Sequence, residues 1–284
     1  MTMSINNNML SLNVANLYNK NVVGLQDSMY KVSSGQRINY AGDDPAGMAM
    51  SERVRTRIQS TDQANANIQN DNAILKIADS ALSNMVDIVS SIREKIVLAA
   101  NDGTTDADRV RIGLDIDNLA TAYDNVVSDT KYGGQQFFVK SVGFQKNGFN
   151  VQYGADATDT AKLTFSDLTG ATLKIDKATL GSSVIKTGVA SSAVAALITK
   201  VDGNLSTLQA EQSKLGGYEQ RLGYMSDNKT NESAALTELN SSIRDTDMTK
   251  GMTEFMKYNI RTQASNYMLA QAGQVPAMVL KLLE

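Results

Sequence analysis

The side chains best placed for chemistry in this sequence are two pairs of neighbouring carboxylates. Asp43 and Asp44 are adjacent, and Asp245 and Asp247 are two residues apart. Close carboxylates can serve as a general acid and a general base. However, Asp44 and Pro45 stand where a new apolar-periodic segment begins, and acidic residues at a helix start cap free amides and are favoured by the helix dipole. Capping is therefore the simpler interpretation, and we predict no catalytic residues.

The composition removes most other enzymatic and metal chemistry. The chain has no histidine and no cysteine, which excludes imidazole acid-base catalysis, thiolate nucleophiles, disulfides and the usual zinc ligands. The net charge is -3, and no cluster of lysine and arginine offers a face for phosphate groups. We therefore expect no enzyme activity, no cofactor, no metal and no nucleic-acid partner.

Targeting signals are also missing from the printed sequence. Residues 1–10 lack the cationic start and apolar core of a secretory signal peptide. No run of about eighteen apolar residues occurs that could span a membrane. Taken alone, these features predict a cytoplasmic chain with no membrane contact.

Long amphipathic helices must position the side chains named above. Apolar residues at spacings of three and four predict helices over about 4–32, from 45 to a break at 101–103, from 105 through 126, over 191–240 and over 247–283. Thr105 to Asp108 resembles a capping box that opens the third of these. The second contains an uninterrupted heptad seam, which predicts a coiled-coil contact: Leu75, Ala78, Leu82, Met85, Val89, Ile92 and Ile96. We predict a mainly α fold, with a long antiparallel helical bundle.

One internal region has a different period. Phe149, Val151 and Tyr153, followed by Leu163 and Phe165, alternate with polar residues as half-buried strands do. Glycine and aspartate between these runs supply turns. We predict a small β-hairpin or meander at about 139–190.

The first and last helical segments carry more apolar surface than a lone helix can keep in water. Each segment needs an apolar surface to pack against, and each can supply one for the other. This predicts a terminal two-helix coiled coil. This unit could be a stable intramolecular coiled coil, or it could be loose in the monomer and become buried when subunits associate. The periodicity leaves both interpretations open.

Motifs at both ends of the chain resemble those of bacterial flagellins. SSGQRIN followed by AGDDPAGMAMSERVR, between 33 and 55, is similar to the family's N-terminal signature. SSIRDTDM at 241–248 and LAQAGQVPAMVLKLLE at 269–284 are similar to its C-terminal region. The resemblance covers about 1–137 and 201–284. Departures include Phe138–Val139, where the family often has Asn-Gly, and a final Glu284, where arginine is common.

The resemblance implies a short flagellin without large outer domains. It implies a terminal-helix core domain of 1–43 and 245–284, and a helical-bundle domain of 44–244 that holds the β-hairpin. The implied function is a structural subunit that self-assembles into the helical flagellar filament for swimming motility, outside the cell. The implied partners are other flagellin subunits, an export chaperone, the type III export apparatus, and the filament cap and junction proteins.

The resemblance also assigns site residues. Apolar residues of the terminal segments would pack in the filament core: Leu10, Val14, Leu17, Leu25, Met29, Phe255, Met256, Ile260, Met268, Leu269, Val279, Leu280, Leu282 and Leu283. Four residues would form the junction between the first two helices: Arg37, Asp43, Asp44 and Pro45.

One segment is similar to the part of flagellins that host Toll-like receptor 5 recognises. Arg93 and Glu94 match it, with Asp115 as a helper acidic position, but Ser91 replaces an arginine and Lys95 replaces a leucine. An arginine can make two parallel hydrogen bonds, and a leucine can serve as an apolar anchor. Losing both weakens such a contact. We expect reduced or absent receptor activation.

Two alternative functions share part of this pattern. A hook-filament junction protein has similar terminal helices but occurs in few copies, so self-polymerisation separates it from a filament subunit. A soluble coiled-coil adaptor would have stable terminal helices in the monomer, so resistance of the termini to trypsin would favour it.

Overall fold

The computed structural model describes residues 8–101, 103–139, 143–175 and 191–283. It is mainly α-helical, which confirms the predicted fold class. The helices in chain order are α1 Met9–Ser34, α2 Pro45–Ala99, α3 Asp106–Asp129, α4 Phe144–Asn147, α5 Gly170–Leu173, α6 Ser191–Arg244 and α7 Met248–Leu283. In the part of the chain described here, no helix combines the length and apolar character that crossing a membrane requires.

Polar side chains at the helix starts explain where α1, α2 and α3 begin. The Asn8 carboxamide oxygen accepts from the Ser11 amide at 3.0 Å. The Asp44 carboxylate accepts from the amide of Gly47 at 2.9 Å. Thr105 accepts from the Asp108 amide and donates to the Asp108 carboxylate at 2.6 Å. Each contact satisfies an amide that lacks a partner within the helix.

Two small antiparallel hairpins interrupt the helices. Strand β1 (Lys131–Tyr132) pairs with β2 (Gln135–Gln136), and β3 (Phe149–Gln152) pairs with β4 (Thr160–Leu163). In the second hairpin Phe149 lies opposite Leu163 and Val151 opposite Ala161, and all four side chains are buried. This hairpin lies within the range predicted from alternation, whereas the first precedes that range. Residues 176–190 of the predicted range lie outside the described residues.

The chain forms two compact units: Gln59–Ser233, and Met1–Ile58 together with Ala234–Glu284. In the first unit, hereafter the bundle unit, every residue of the predicted α2 seam is buried. Asn65 on α2 bonds to Ser226 and Thr230 on α6, while Arg93 further along α2 pairs with Asp202, earlier on α6. The two helices therefore run antiparallel, as expected for neighbouring helices in a bundle.

Phenylalanines from the hairpin region form one cluster in the core of the bundle unit. Phe137 lies 5.4 Å from Phe165 and 5.1 Å from Phe144 between ring centroids, and Phe144 lies 4.9 Å from Phe149. Phe138 joins the cluster against Phe165 at 6.2 Å. Most of these pairs meet edge to face, the arrangement that aromatic quadrupoles favour. The cluster joins the short strands to the helical core.

Candidate assembly surface

The second unit, hereafter the terminal unit, contains α1 and α7 side by side. The Asn8 side chain donates to the carbonyl of Ala272 at 2.9 Å, and Asn21 donates to the Ser265 hydroxyl at 2.9 Å. Contacts that join the start of α1 to the later part of α7 show that the helices are antiparallel. The terminal two-helix pairing predicted from the sequence is therefore present within one chain.

Small, polar and apolar residues together form the seam between these helices. Ser28 on α1 and Ser265 and Ala272 on α7 are buried there. At Gly24, a Cβ atom would lie 2.5 Å from the Tyr258 ring, so only glycine allows this approach. The seam positions alternate by three and four as in a coiled coil: Ser11, Val14, Tyr18, Asn21, Leu25, Ser28 and Val32 on α1, and Gly251, Phe255, Tyr258, Thr262, Ser265, Leu269 and Ala272 on α7.

Further large apolar residues lie on the faces turned away from this seam. At about 100° per residue, these positions are roughly opposite the seam positions of their own helix. Their side chains are 56 to 79% exposed. We call them the outer faces: Met9, Leu12, Val23 and Tyr30 on α1, and Met256, Ile260 and Tyr267 on α7. Leu10, Leu17, Met29 and Met268 flank the seam and are more than half exposed.

The residues assigned to core packing from the sequence therefore fall into three groups. Six are exposed: Leu10, Leu17, Met29, Met256, Ile260 and Met268. Val14 is buried in the seam, and Leu25, Phe255 and Leu269 are half-buried there. Val279, Leu280, Leu282 and Leu283 lie outside the described side chains. The filament contacts of these residues stay a prediction.

Sequence reasoning missed most of the outer face of α1. Met9, Leu12, Val23 and Tyr30 repeat at intervals of three, eleven and seven, a second apolar stripe that could have been found beside the first. Asn21 is a seam residue whose side-chain amide donates across the helix pair to Ser265. This polar group has a hydrogen-bond partner, so its position in the seam is compatible with burial.

This arrangement leaves the terminal unit poorly suited to exist alone in water. Apolar burial contributes about 25 cal/mol per Å², and three of the large seam side chains, Leu25, Phe255 and Leu269, are only half-buried. The larger side chains keep their apolar surface in solvent, where contiguous patches mark interaction sites. The outer faces therefore indicate a surface for other chains.

The connections at the base of the terminal unit are joined by backbone hydrogen bonds. The amide of Arg37 donates to the carbonyl of Arg244 at 2.7 Å, and the amide of Thr246 donates to the carbonyl of Gly35 at 3.0 Å. These bonds flank an isolated antiparallel bridge between Gln36 and Asp245. The link from α1 to α2 and the link from α6 to α7 therefore form one short β-like ladder.

Two arginines reinforce that ladder. The Arg37 guanidinium donates to the carbonyl of Ile243 at 2.6 Å. Arg244 donates to the side chain of Gln36 and forms an ion pair with Glu52, both at 3.1 Å. The sequence pointed to Arg37, which the structure places at the junction. The role of Arg244 emerges only from residues about 200 positions away.

Asp43 and Asp44 both organise the turn before α2. The Asp43 carboxylate accepts from the amides of Asn39 at 3.0 Å and Tyr40 at 3.4 Å, and Lys31 lies 3.9 Å away. Burial alone would raise the pKa of Asp43, but these backbone hydrogen bonds and the Lys31 charge outweigh it and lower the pKa. Asp44 caps α2 and Pro45 begins it.

We expect Asp43→Asn to weaken this turn, because a neutral amide oxygen accepts hydrogen bonds less strongly than a carboxylate does. The expected loss is about 1–2 kcal/mol of local stability at pH 7. Since the folded pKa is lowered, the wild-type advantage is complete above about pH 4, the ordinary carboxyl value, and disappears as the pH falls through the lowered pKa. Hydrogen exchange of the 35–44 amides as a function of pH measures this. An advantage that grows on acidification would contradict the assignment.

Intramolecular ion pairs occupy the receptor-like segment of α2. Arg93 pairs with Asp202 at 2.6 Å, and Lys95 pairs with Asp115 on α3 at 3.2 Å. Glu94 is exposed. The structure therefore places Arg93, Glu94 and Asp115 in the same unit, with two of them paired within the chain.

Comparison with known proteins matches both ends of the chain to one family. Residues 5–142 match the bacterial flagellin N-terminal helical region, and residues 198–283 match the bacterial flagellin C-terminal helical region. A flagellin of Bacillus subtilis (strain 168) is 33% identical over 304 residues, covering 99% of this chain and 100% of that protein. The chain belongs to the bacterial flagellin family. As a flagellin it is a structural subunit of the extracellular flagellar filament used in swimming motility.

Further comparisons agree with this membership. A flagellar filament 30.7 kDa core protein of Treponema maltophilum is 32% identical over 287 residues, covering 99% of this chain and all of that protein. A putative flagellar hook-associated protein from Vibrio parahaemolyticus has a similar structure, with a TM-score of 0.61, 13% identity, and coverage of 72% of this chain and 100% of that chain. At that identity the likeness shows the fold alone, so it gives no support to the hook-filament junction alternative over the flagellin assignment.

Proposed function

We propose that the outer faces of α1 and α7 are the surfaces that become buried between neighbouring copies when this flagellin polymerises. The observation that carries the proposal is the amount of apolar side chain that the helix pair leaves exposed. Ser28 and Ser265 are among the most buried seam residues, whereas Val23 and Ile260, on the outer faces, are 65 and 66% exposed. Contacts that do not close on themselves generate a helical fibre, and the apolar outer faces supply its driving force.

The proposed domain organisation has its border at the junction. Residues 1–43 and 245–284 would form the core domain, and residues 44–244 the bundle domain with the hairpins, without large outer domains. The ladder through Gly35, Arg37, Arg244 and Thr246 supports a border here, because it bonds the two connections to each other. The compact units divide elsewhere, at 58/59 within α2 and at 233/234 within α6.

Ordering of the terminal helices on assembly is a further part of the proposal. Leu25, Phe255 and Leu269 are only half-buried in the seam, so the helix pair is marginal by itself, and the missing contacts come from other subunits. Such coupled folding keeps the monomer soluble and extended enough for export. The partners we propose are an export chaperone, the type III export apparatus, and the filament cap and junction proteins.

The carboxylates that could have suggested catalysis are engaged in local structure, which supports the prediction that the chain is not an enzyme. Asp43 and Asp44 bind backbone amides at the start of α2. Asp245 accepts from Ser241 at 2.6 Å, and Asp247 accepts from the amide of Thr249 at 2.8 Å at the start of α7.

Electron microscopy of the purified full chain after seeding, beside a variant lacking 245–284, tests the proposed surface. We expect long fibres from the full chain and none from the variant. Trypsin digestion of both states is the companion measurement, with the termini cleaved in dilute monomer and protected in fibres. A full chain that stays monomeric with protected termini would overturn the proposal and favour a coiled-coil adaptor.

We propose that this flagellin contacts Toll-like receptor 5 only weakly. Ser91 and Lys95 stand where the receptor-recognised segment has an arginine and an apolar anchor, and Asp115 is paired with Lys95 within the chain. We expect the double substitution of Ser91→Arg and Lys95→Leu to lower the half-maximal concentration for receptor activation at least about tenfold, since each hot-spot residue contributes about 1 kcal/mol or more. A cell reporter assay measures this. Ser91→Lys is the control, because lysine restores the positive charge but cannot make the forked hydrogen bonds of arginine. Equal activity of the wild type and the double variant would contradict the proposal.

A further inference from the structure

The methionines of this chain are unevenly placed. The chain has 13 methionines and no cysteine. Among the described side chains, all the strongly exposed methionines belong to the terminal unit: Met9, Met29, Met50, Met248, Met252, Met256 and Met268. In the bundle unit, by contrast, Met85 is fully buried and Met225 packs partly buried against the core.

Three of these methionines form a continuous ridge on α7. Met248, Met252 and Met256 follow one another at intervals of four, and Ile260 continues the row. Their exposed fractions are between 38 and 66%. Rows of this spacing are the ridges that pack into grooves of another helix. Thioether side chains adapt to irregular contacts more easily than branched ones, so the ridge is suited to a surface that must fit against neighbouring copies.

We propose that this ridge is a site of oxidative modification in the unassembled chain, and that its oxidation blocks polymerisation. The reagent class is a peroxide. The thioether sulfur attacks one peroxide oxygen, an S–O bond forms, the O–O bond breaks, and the second oxygen leaves as water after taking up the protons. The sulfur loses two electrons and becomes a sulfoxide, and the peroxide gains them.

The chain's composition and geometry favour these sulfurs as the targets. With no cysteine present, no thiolate competes for the oxidant, and exposure decides which thioethers react. Met252 and Met256 are accessible in the single chain, whereas Met85 is not. Met85 is therefore an internal control within the same molecule.

Oxidation removes the apolar character on which the proposed assembly surface depends. A sulfoxide is a strong hydrogen-bond acceptor, and burying it against apolar side chains without a donor is unfavourable. Polymerised copies would cover the ridge and exclude the oxidant, so filaments should resist oxidation. This inference rests on the proposed function, because it requires the ridge to be buried in the filament.

Hydrogen peroxide treatment of the monomeric full chain, followed by quenching, peptide mass spectrometry and a seeded polymerisation assay, tests the inference. We expect sulfoxide at Met248, Met252 and Met256 and none at Met85, together with a rise of about tenfold or more in the critical concentration for polymerisation. Filaments treated in the same way should retain unmodified ridge methionines. Methionine sulfoxide reductases should restore polymerisation of the oxidised monomer.

A triple variant with Met248→Leu, Met252→Leu and Met256→Leu is the matched control, because leucine has a similar volume and no oxidisable sulfur. Its own untreated critical concentration is the reference, and we expect peroxide to raise that value by about threefold or less. If oxidised wild type polymerises normally, or if ridge methionines oxidise equally in filaments, the inference is wrong while the proposed function can stand. If the untreated chain does not polymerise, the proposed function itself fails.

Discussion

Replacing Ile260 with aspartate is expected to abolish polymerisation while leaving the monomer folded. Ile260 is two-thirds exposed in the single chain, on the outer face of α7. A carboxylate there stays hydrated in the monomer, so monomer stability should change by no more than about 0.5 kcal/mol. In the filament the same charge would be buried without a partner, at a cost of about 3 kcal/mol or more. The critical concentration should therefore rise at least about a hundredfold.

Sedimentation of seeded samples across a concentration series measures this effect, and circular dichroism of the monomer shows whether the helices are retained. Ile260→Leu is the matched control, since it keeps an apolar side chain of similar volume and should polymerise nearly as the wild type does. Normal polymerisation of the aspartate variant would show that this position stays in solvent in the filament, against the proposed role of the outer face.

Truncating Phe138 is expected to cause a large loss of stability in the bundle unit. Its side chain is fully buried, with its ring centroid 6.0 Å from that of Phe137 and 6.2 Å from that of Phe165. Phe138→Ala would remove these contacts and leave a cavity, at a cost of about 3–5 kcal/mol. For a unit of this size, that loss lowers the Tm by about 10 °C.

Thermal unfolding of the dilute monomer, followed by calorimetry, measures the change. Tyr132→Ala is the control, because Tyr132 is an aromatic residue of the same region that is about half exposed. We expect it to change stability by about 0.5 kcal/mol or less. Equal effects of the two substitutions would show that the phenylalanine cluster does not stabilise the bundle unit.

The sequence alone located the five long helices, the starts of α2 and α3, and the buried seam of α2. These features depend on local chemistry: Thr105 and Asp44 supply acceptors to nearby amides, and the α2 seam repeats with a coiled-coil period. Alternation at Phe149, Val151 and Leu163 likewise located the second hairpin. A pattern that spans a few turns of chain is enough to indicate which side of a helix or strand is apolar.

Only the tertiary structure decided how α1 and α7 approach each other. The α1 residues assigned from the sequence, such as Val14 and Leu25, lie in or beside the seam, so the sequence did locate this face. The approach itself depends on Gly24, where the Tyr258 ring leaves no room for a Cβ atom, and on the bond between Asn21 and Ser265. These are relations between residues more than 200 positions apart, which no local pattern contains.

The same reason explains the junction and the assembly surface. Arg244 can bond to Gln36 and Glu52 because the fold brings the link between α6 and α7 next to the link between α1 and α2. The outer faces consist of the apolar residues that the seam does not use, and these residues remain exposed to solvent. Sequence periodicity determines that a helix has apolar residues, whereas packing in three dimensions determines which of them are satisfied within the chain and which remain for other copies.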